Sequence, residues 1–258
     1  FIIDNINAIL SINLRIKKLP LPLGLSFYTF KIISYLSDVY RGQVKHQSNI
    51  INLGLYISIF PQIGSGPITQ YNEMIGDIDK RGESRVLFSQ GVEKFILGLS
   101  KKIIIANNLQ PLWLEVKSLP VNEISTLTAW LGILAYSLQL YFDFSGYSDM
   151  AIGVGNMFGF SWGKNFNYPY LSKSIKEFWN RWHISLGKWF RDYIYIPLGG
   201  NRRGPINHLR NILIVWIFTG LWHGANWTFI LWEVYYALIL SLEKYLCKKV
   251  IFQKKSLK

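Results

Sequence analysis

Cysteine is almost absent from this sequence: Cys247 is the only one. That excludes an internal disulfide framework and any cysteine-based zinc site, and its place beside Lys248 and Lys249 near the C-terminus reads as incidental. Acidic residues are scarce too, 15 Asp and Glu against 28 Lys and Arg, for a formal net charge of +13. Such an excess would suit nucleic acid. The basic residues are spread between apolar segments, however, and no nucleic-acid-binding motif accompanies them, so loop lysines and arginines beside a membrane account for the charge. No nucleic-acid partner is expected. Also missing are H-E-x-x-H, a Walker loop and a G-x-S-x-G elbow. The chain starts at Phe1 with no basic stretch leading into an apolar one, so no signal peptide is visible. It reads as a piece of something longer.

What the chain has in quantity is apolar and aromatic surface. Hydrophobic residues make up 50 % and aromatics 16 %, and Trp and Tyr flank apolar runs as they do in belts at a bilayer surface. This argues for a membrane protein over the one or two soluble domains that 258 residues would suit. Mean hydropathy is only +0.18, so the loops must carry much of the polarity. Residues 1–14 are apolar but interrupted by Asp4, Asn5, Asn7 and Asn13, and read as a helix remnant before the basic group Arg15, Lys17 and Lys18. Residues 19–37 form the first span, entered through Pro20 and Pro22 and carrying one charge, Lys31. From Gln47 to Asn72 no residue is charged, long enough for a span of about twenty residues. Yet Pro61, Gly64, Gly66 and Pro67 break its second half, so P-Q-I-G-S-G-P reads as the turn of a re-entrant or broken helix. Residues 86–114, with Lys94, Lys101 and Lys102, read as a tilted or interfacial helix, and 124–142 as a clean uncharged span capped by Ser125 or Thr126.

D-F-S-G-Y-S-D-M follows that span at residues 143–150. Asp143 and Asp149 are functional candidates if they lie at membrane depth. Equally, Ser148 would cap a new helix with Asp149 in its first turn, and both readings stay open. Gly153, Gly155 and Gly159 are spaced one residue too long for a dinucleotide loop. Gly155 and Gly159 instead suit close helix packing.

Two histidines organise the remainder. Residues 174–192, S-I-K-E-F-W-N-R-W-H-I-S-L-G-K-W-F-R-D, have a capping-box start at Ser174 and Glu177 and apolar residues at helical spacing, which predicts an amphipathic helix at the interface or roofing a bundle. His183 falls on or beside its apolar face, where a hydrogen-bonded core histidine is the bland alternative to a functional one. Residues 193–204, Y-I-Y-I-P-L-G-G-N-R-R-G, form a turn made basic by Arg202 and Arg203; a phosphate cradle for a nucleotide-like donor competes there with an ordinary positive loop beside a membrane. Residues 212–242 hold one charge, Glu233. All-helical, the stretch would run roughly 46 Å at about 1.5 Å per residue, against a hydrocarbon core of about 30 Å. Two segments meeting near residues 224–226, with Asn226 as cap, explain the length better. His223 lies in this apolar region, where an ionisable group points to a functional site ahead of the alternative, a packing histidine bonded to a backbone carbonyl. His208 and His46 read as surface groups. A metal would need a third ligand, and Asp143, Asp149 or Asp192 could be recruited only by assumption, so no metal is expected.

The stretches F-W-N-R-W-H-I-S-L-G-K-W-F-R-D-Y-I-Y-I-P-L-G-G-N-R and T-G-L-W-H-G-A-N-W-T-F-I-L-W strongly resemble the membrane-bound O-acyltransferase (MBOAT) family, in its bacterial alginate and peptidoglycan O-acetyltransferase branch. L-P-L-G-L-S-F-Y-T-F-K-I-I-S-Y-L-S-D-V-Y-R-G, P-Q-I-G-S-G-P-I and Y-F-D-F-S-G-Y-S-D-M-A-I-G fit the same branch. The resemblance covers about residues 19–245. It implies an all-α, polytopic transmembrane helical bundle with re-entrant and interfacial amphipathic helices, a single membrane-embedded domain over 1–258 cut short at both ends, in a bacterial cytoplasmic membrane. It also implies that His223 matches the family's catalytic histidine and His183 its second conserved polar position.

The implied chemistry is acetyl transfer from a cytoplasmic thioester, acetyl-CoA or another acyl thioester, towards hydroxyls of an extracytoplasmic polysaccharide, completed by a secreted esterase-like partner; no bound cofactor is implied. An imidazole titrating near about 6.5 can take the proton of an attacking hydroxyl. His223 is therefore expected as general base and His183 as the group that orients the donor or stabilises the oxyanion. The alternatives are D-alanyl transfer to teichoic acid and a non-catalytic transporter or scaffold component. Lys248, Lys249, Lys254, Lys255 and Lys258 suggest a cytoplasmic C-terminal tail.

Overall fold

The computed structural model describes residues 1–14, 22–82 and 84–256, with side chains as far as residue 246. Arg15, Lys17, Lys18, Pro20 and Lys258 lie outside the described residues, as do the side chains of Cys247, Lys248, Lys249, Lys254 and Lys255. Every described element is helical. In order they are α1 (Ile2–Leu10), α2 (Leu25–Tyr40), α3 (Ile50–Ser58), α4 (Phe60–Ile63), α5 (Tyr71–Asp79), α6 (Arg85–Ser100), a π-helical turn (Lys101–Ala106), α7 (Asn107–Ser118) and α8 (Thr126–Met157). Then come α9 (Ile175–Arg181), α10 (Ile184–Phe190), a second π-helical turn (Arg191–Tyr195), α11 (Pro205–His223) and α12 (Trp227–Ser256). The chain divides into two compact units, one of residues 23–167 with 182–185, the other of residues 1–22, 168–181 and 186–258.

In the first unit α2, α3 and α5 close around Tyr56, Tyr71 and Met74, which with Ile59, Ile152, Phe160 and Trp162 form its core. Tyr56 and Tyr71 meet edge to face at 5.0 Å. Lys31, the one charge noted in the first apolar segment, is buried here; its Nζ donates to the Tyr56 carbonyl at 2.9 Å and stands over the Tyr56 ring. The break expected at P-Q-I-G-S-G-P is present: α3 stops at Ser58, α4 is a single turn begun by Phe60-Pro61, and α5 starts only at Tyr71. Gly66 permits the return, since a Cβ there would lie 2.6 Å from the Gln62 Cα.

Helix α8 departs from expectation. Ser125 caps it as anticipated, its Oγ accepting the Thr128 N–H at 3.1 Å. The helix does not end at residue 142, however, but runs 32 residues to Met157, so Ser148 caps nothing. The carboxylates of D-F-S-G-Y-S-D are tolerated mid-helix because they are paired: Asp149 with Lys94 at 3.0 Å and Lys101 at 2.6 Å, Asp143 with Lys102. The helix packing expected of Gly155 and Gly159 is not what those two glycines do; other glycines take that role. Gly91 and Gly98 of α6 oppose Gly153 and Gly146 of α8, each so close that an added Cβ would fall 2.5–2.7 Å from the opposing glycine's carbonyl oxygen. Gly155 faces the Trp162 ring instead, and Gly159, at φ +80°, turns the chain beyond α8. Gly98→Val is therefore expected to destabilise the purified protein by about 1–3 kcal/mol. Gly54→Ala, where nothing lies within 4 Å, should be neutral or stabilising by up to about 1 kcal/mol; thermal midpoints in detergent check both.

Among the described residues no helix is both long enough and apolar enough to cross a membrane, so the spans expected at 19–37 and 124–142 are not met by any single helix, whereas 212–242 divides into two helices as expected. The reason is compositional. Helix α2 begins only at Leu25, α8 mixes Thr, Ser, Gln and Gly among its leucines, and α11 opens with Asn207, His208, Arg210 and Asn211.

Candidate functional site

His223 is the last residue of α11, and the helix pair α11 and α12 forms as the sequence indicated. Asn226 caps α12, its Oδ1 accepting the Thr228 N–H at 3.0 Å. The two helices approach at Gly220, where a Cβ would stand 3.0 Å from the Ile230 Cα and 3.2 Å from the Glu233 Cγ. That close approach brings the Glu233 carboxyl under the end of α11. His223 Nε2 lies 3.6 Å from Glu233 Oε1; the Glu233 side chain is fully buried, while that of His223 remains 32 % exposed. Neither oxygen of Glu233 has a hydrogen-bond partner among the described residues. Aromatic rings frame the imidazole, Trp222 edge-on at 4.8 Å and Phe229 nearly parallel at 6.2 Å.

The same unit gathers Trp179 of α9 against Trp216 at 4.8 Å and Tyr236 at 5.1 Å. Glu243 of α12 anchors the start of α9, its carboxylate accepting the N–H groups of Ile175 and Lys176 at 2.9 and 3.2 Å, where a negative charge suits the helix dipole. Half of the expected capping box is present, Ser174 Oγ accepting the Glu177 N–H at 3.1 Å. The Glu177 carboxylate reaches back one residue further, to the Lys173 N–H, and that bond holds its carboxyl below the usual value. The basic turn is pinned by buried Asn211, whose Nδ2 donates to the carbonyls of Leu198 and Gly200 at 3.2 and 2.9 Å. His208 is not the surface group expected: Lys244 Nζ donates to its Nε2 at 3.0 Å, which leaves Nδ1–H to donate to the Tyr195 hydroxyl at 2.8 Å. His46 is exposed, as expected.

His183 belongs to the other unit. The single helix anticipated over 174–192 is interrupted there, α9 ending at Arg181 and α10 starting at Ile184. His183 itself has φ +45°, a conformation that costs a non-glycine residue of order 1–3 kcal/mol. Asn165 maintains it. Its carbonyl accepts the Ile184 N–H at 2.9 Å, and its Oδ1 accepts the Ser185 N–H at 3.0 Å and the Ser185 hydroxyl at 2.9 Å. The same oxygen lies 3.2 Å from His183 Nδ1, so Nδ1 must carry the proton. Phe144 stands edge-on to the ring at 4.8 Å, and the imidazole is 3 % exposed. Ser185 Oγ in turn accepts the Ile68 N–H at 2.9 Å, tying in the P-Q-I-G-S-G-P-I segment.

The two histidines thus have separate sets of partners. Asp143 and Asp149 serve as interhelical ion pairs. Among the described residues no three His, Cys, Asp or Glu side chains gather as a metal would require. Sequence reasoning missed Asn165 and Glu243, whose types are common in loops and on helix surfaces. It flagged Glu233 only as a lone charge, and the signal that could have found it is that same lone carboxylate, ten residues beyond His223 across a helix turn.

A family model described as MBOAT, membrane-bound O-acyltransferase family, matches residues 40–254. The chain is 44 % identical over 248 residues to an Azotobacter vinelandii protein named "Probable alginate O-acetylase AlgI", covering 95 % of this chain and 49 % of that one. It is 35 % identical over 271 residues to the Helicobacter pylori "Peptidoglycan O-acetyltransferase", covering 95 % and 51 %. To the Bacillus subtilis "Teichoic acid D-alanyltransferase" it is 32 % identical over 231 residues, covering 85 % and 58 %. The chain spans about half the length of the curated relatives it matches.

Proposed function

Because the chain belongs to the membrane-bound O-acyltransferase family, we propose that it supplies the catalytic part of a multi-pass enzyme of the bacterial cytoplasmic membrane, one that moves acetyl from a cytoplasmic thioester towards hydroxyls of an extracytoplasmic polysaccharide. The single observation that carries this reading is His223, a one-third-exposed imidazole held at the junction of two apolar helices with a buried carboxyl group behind it. The relatives' names favour acetyl over D-alanyl and an alginate- or peptidoglycan-like acceptor. Exposed apolar side chains along α8, among them Leu127, Trp130, Ile133 and Leu134, support contact with lipid.

In the proposed reaction His223 accepts the proton of the acceptor hydroxyl as its oxygen attacks the thioester carbonyl. The tetrahedral oxyanion then collapses, breaking the carbon–sulfur bond, and the leaving thiolate takes the proton from the imidazolium. Acetyl-CoA is the proposed donor substrate. For His183 the proposed role is to orient the donor or steady the oxyanion, supported by the rigid seat that Asn165 and Ser185 give the ring. A secreted esterase-like protein is the proposed partner that passes acetyl to the polymer.

The test is ester-linked acetate on surface polysaccharide of a host lacking its own transferase, with the protein expressed in its natural reading frame. Acetate above the empty-vector level, with free thiol released from acetyl-CoA in isolated membranes, is the expected result. Ester-linked D-alanine in its place would move the reading to teichoic acid, and ion flux without thioester consumption would make the protein a transporter.

A further inference from the structure

We propose that Glu233 is the positioning residue for His223, holding Nε2–H so that Nδ1 becomes the atom that accepts the substrate proton. The inference rests on the reading of His223 as general base. Glu233 lies in a helix otherwise uncharged from its start at Trp227 to Ser241, and its side chain is fully buried. Neither carboxyl oxygen has a hydrogen-bond partner among the described residues, and the one basic group within 4 Å of it there is His223 Nε2. A buried carboxylate so poorly satisfied costs stability, and an apolar side chain of similar size would serve packing as well or better. Its placement is nevertheless built in. Gly220, with no Cβ, leaves the space that the Glu233 Cγ occupies 3.2 Å from where that atom would be.

The asymmetry of the pair carries the direction of the chemistry. One edge of the imidazole faces a carboxyl with no access to solvent, while the side chain as a whole stays one-third open. The hydroxyl therefore arrives, in this proposal, on the side away from Glu233. At 3.6 Å the contact is wider than a hydrogen bond; it closes as Nδ1 takes the proton, the carboxylate then accepting Nε2–H and steadying the imidazolium. Glu233 touches no reacting atom and acts through the ring.

The test compares kcat and KM for acetyl-CoA in wild type, Glu233→Gln, Glu233→Met, His223→Ala and the His223→Ala/Glu233→Gln double variant, all in the natural reading frame and in detergent. Glu233→Gln is expected to lower kcat at least about tenfold, with a ceiling of about 10⁴-fold as for a triad carboxylate changed to its amide. KM should stay within about twofold, and the thermal midpoint should hold or rise, since a poorly satisfied buried charge is removed. Glu233→Met should behave alike in both respects. The double variant should be no slower than His223→Ala alone, because both changes disable one unit. Wild-type kcat in Glu233→Gln and Glu233→Met, with His223→Ala inactive, would overturn the role of Glu233 and leave the base standing. Multiplicative losses in the double variant would overturn it too. Wild-type kcat in His223→Ala would overturn the base, and the inference with it.

Discussion

Replacing His223 with alanine is expected to slow acyl transfer by about 10²–10⁴-fold, the usual worth of a positioned general base. Folding should suffer far less than activity. The imidazole sits on the last residue of α11, and the bond that closes the helix there, from the Gly224 N–H to the Gly220 carbonyl at 3.2 Å, does not use it. Truncation does remove the one basic group within ion-pair distance of Glu233 among the described residues, and a buried carboxyl left without it is still less well satisfied. Adding Glu233→Gln should therefore restore the thermal midpoint without restoring turnover. Thiol release from acetyl-CoA and a melting curve on the same preparations separate the two effects. Equal turnover in wild type and His223→Ala would remove His223 from the chemistry.

Asn165→Leu is expected to cost about 3–5 kcal/mol of stability, the largest effect of any single side chain around His183. The amide oxygen accepts from three donors, the Ser185 N–H, the Ser185 hydroxyl and His183 Nδ1. Leucine would fill the space and satisfy none of them, and each buried donor left unpaired costs about 1–3 kcal/mol. With those bonds gone, the left-handed backbone at His183 keeps the bond from the Ile184 N–H to the carbonyl of residue 165, but the interruption between α9 and α10 should loosen. Ser185→Ala removes one hydroxyl and should cost only about 1 kcal/mol. Asn165→Asp keeps the acceptor oxygen and should fall between the two. Midpoints of chemical denaturation in detergent would establish the order, and Asn165→Leu no worse than Ser185→Ala would refute this account.

How far the sequence could be read depended on whether the deciding partner was near. The breaks at 61–67 and 224–226 were legible because proline, glycine and asparagine mark them locally. The helix pair around His223 followed from apolar length alone. The continuity of α8 was not legible, because Asp143 and Asp149 are neutralised by lysines 41 and 48 residues away. Nor was the interruption at His183. N-R-W-H-I-S contains no breaker, and the helix yields there to Asn165, 18 residues earlier. His208 looked exposed for the same reason, since its partners Tyr195 and Lys244 come from other elements. Apolar surroundings singled out the two histidines and family resemblance gave them roles, while geometry added the carboxyl behind one and the amide beneath the other.

The glycine pairs between α6 and α8 also have a mechanical consequence. Where Gly91 meets Gly153 and Gly98 meets Gly146, backbone runs against backbone, with the Met157 and Met150 side chains seated over Gly91 and Gly98. A side chain seated over a glycine resists axial sliding as a knob in a hole does. The alignment of the two helices is also latched by charge, with Asp149 gripping Lys94 and Lys101 on α6 and the adjoining turn, and Asp143 gripping Lys102. Close approach and axial position are thus set by different parts: glycine fixes how near the helices come, and the seated methionines together with the lysine–aspartate latches fix their alignment.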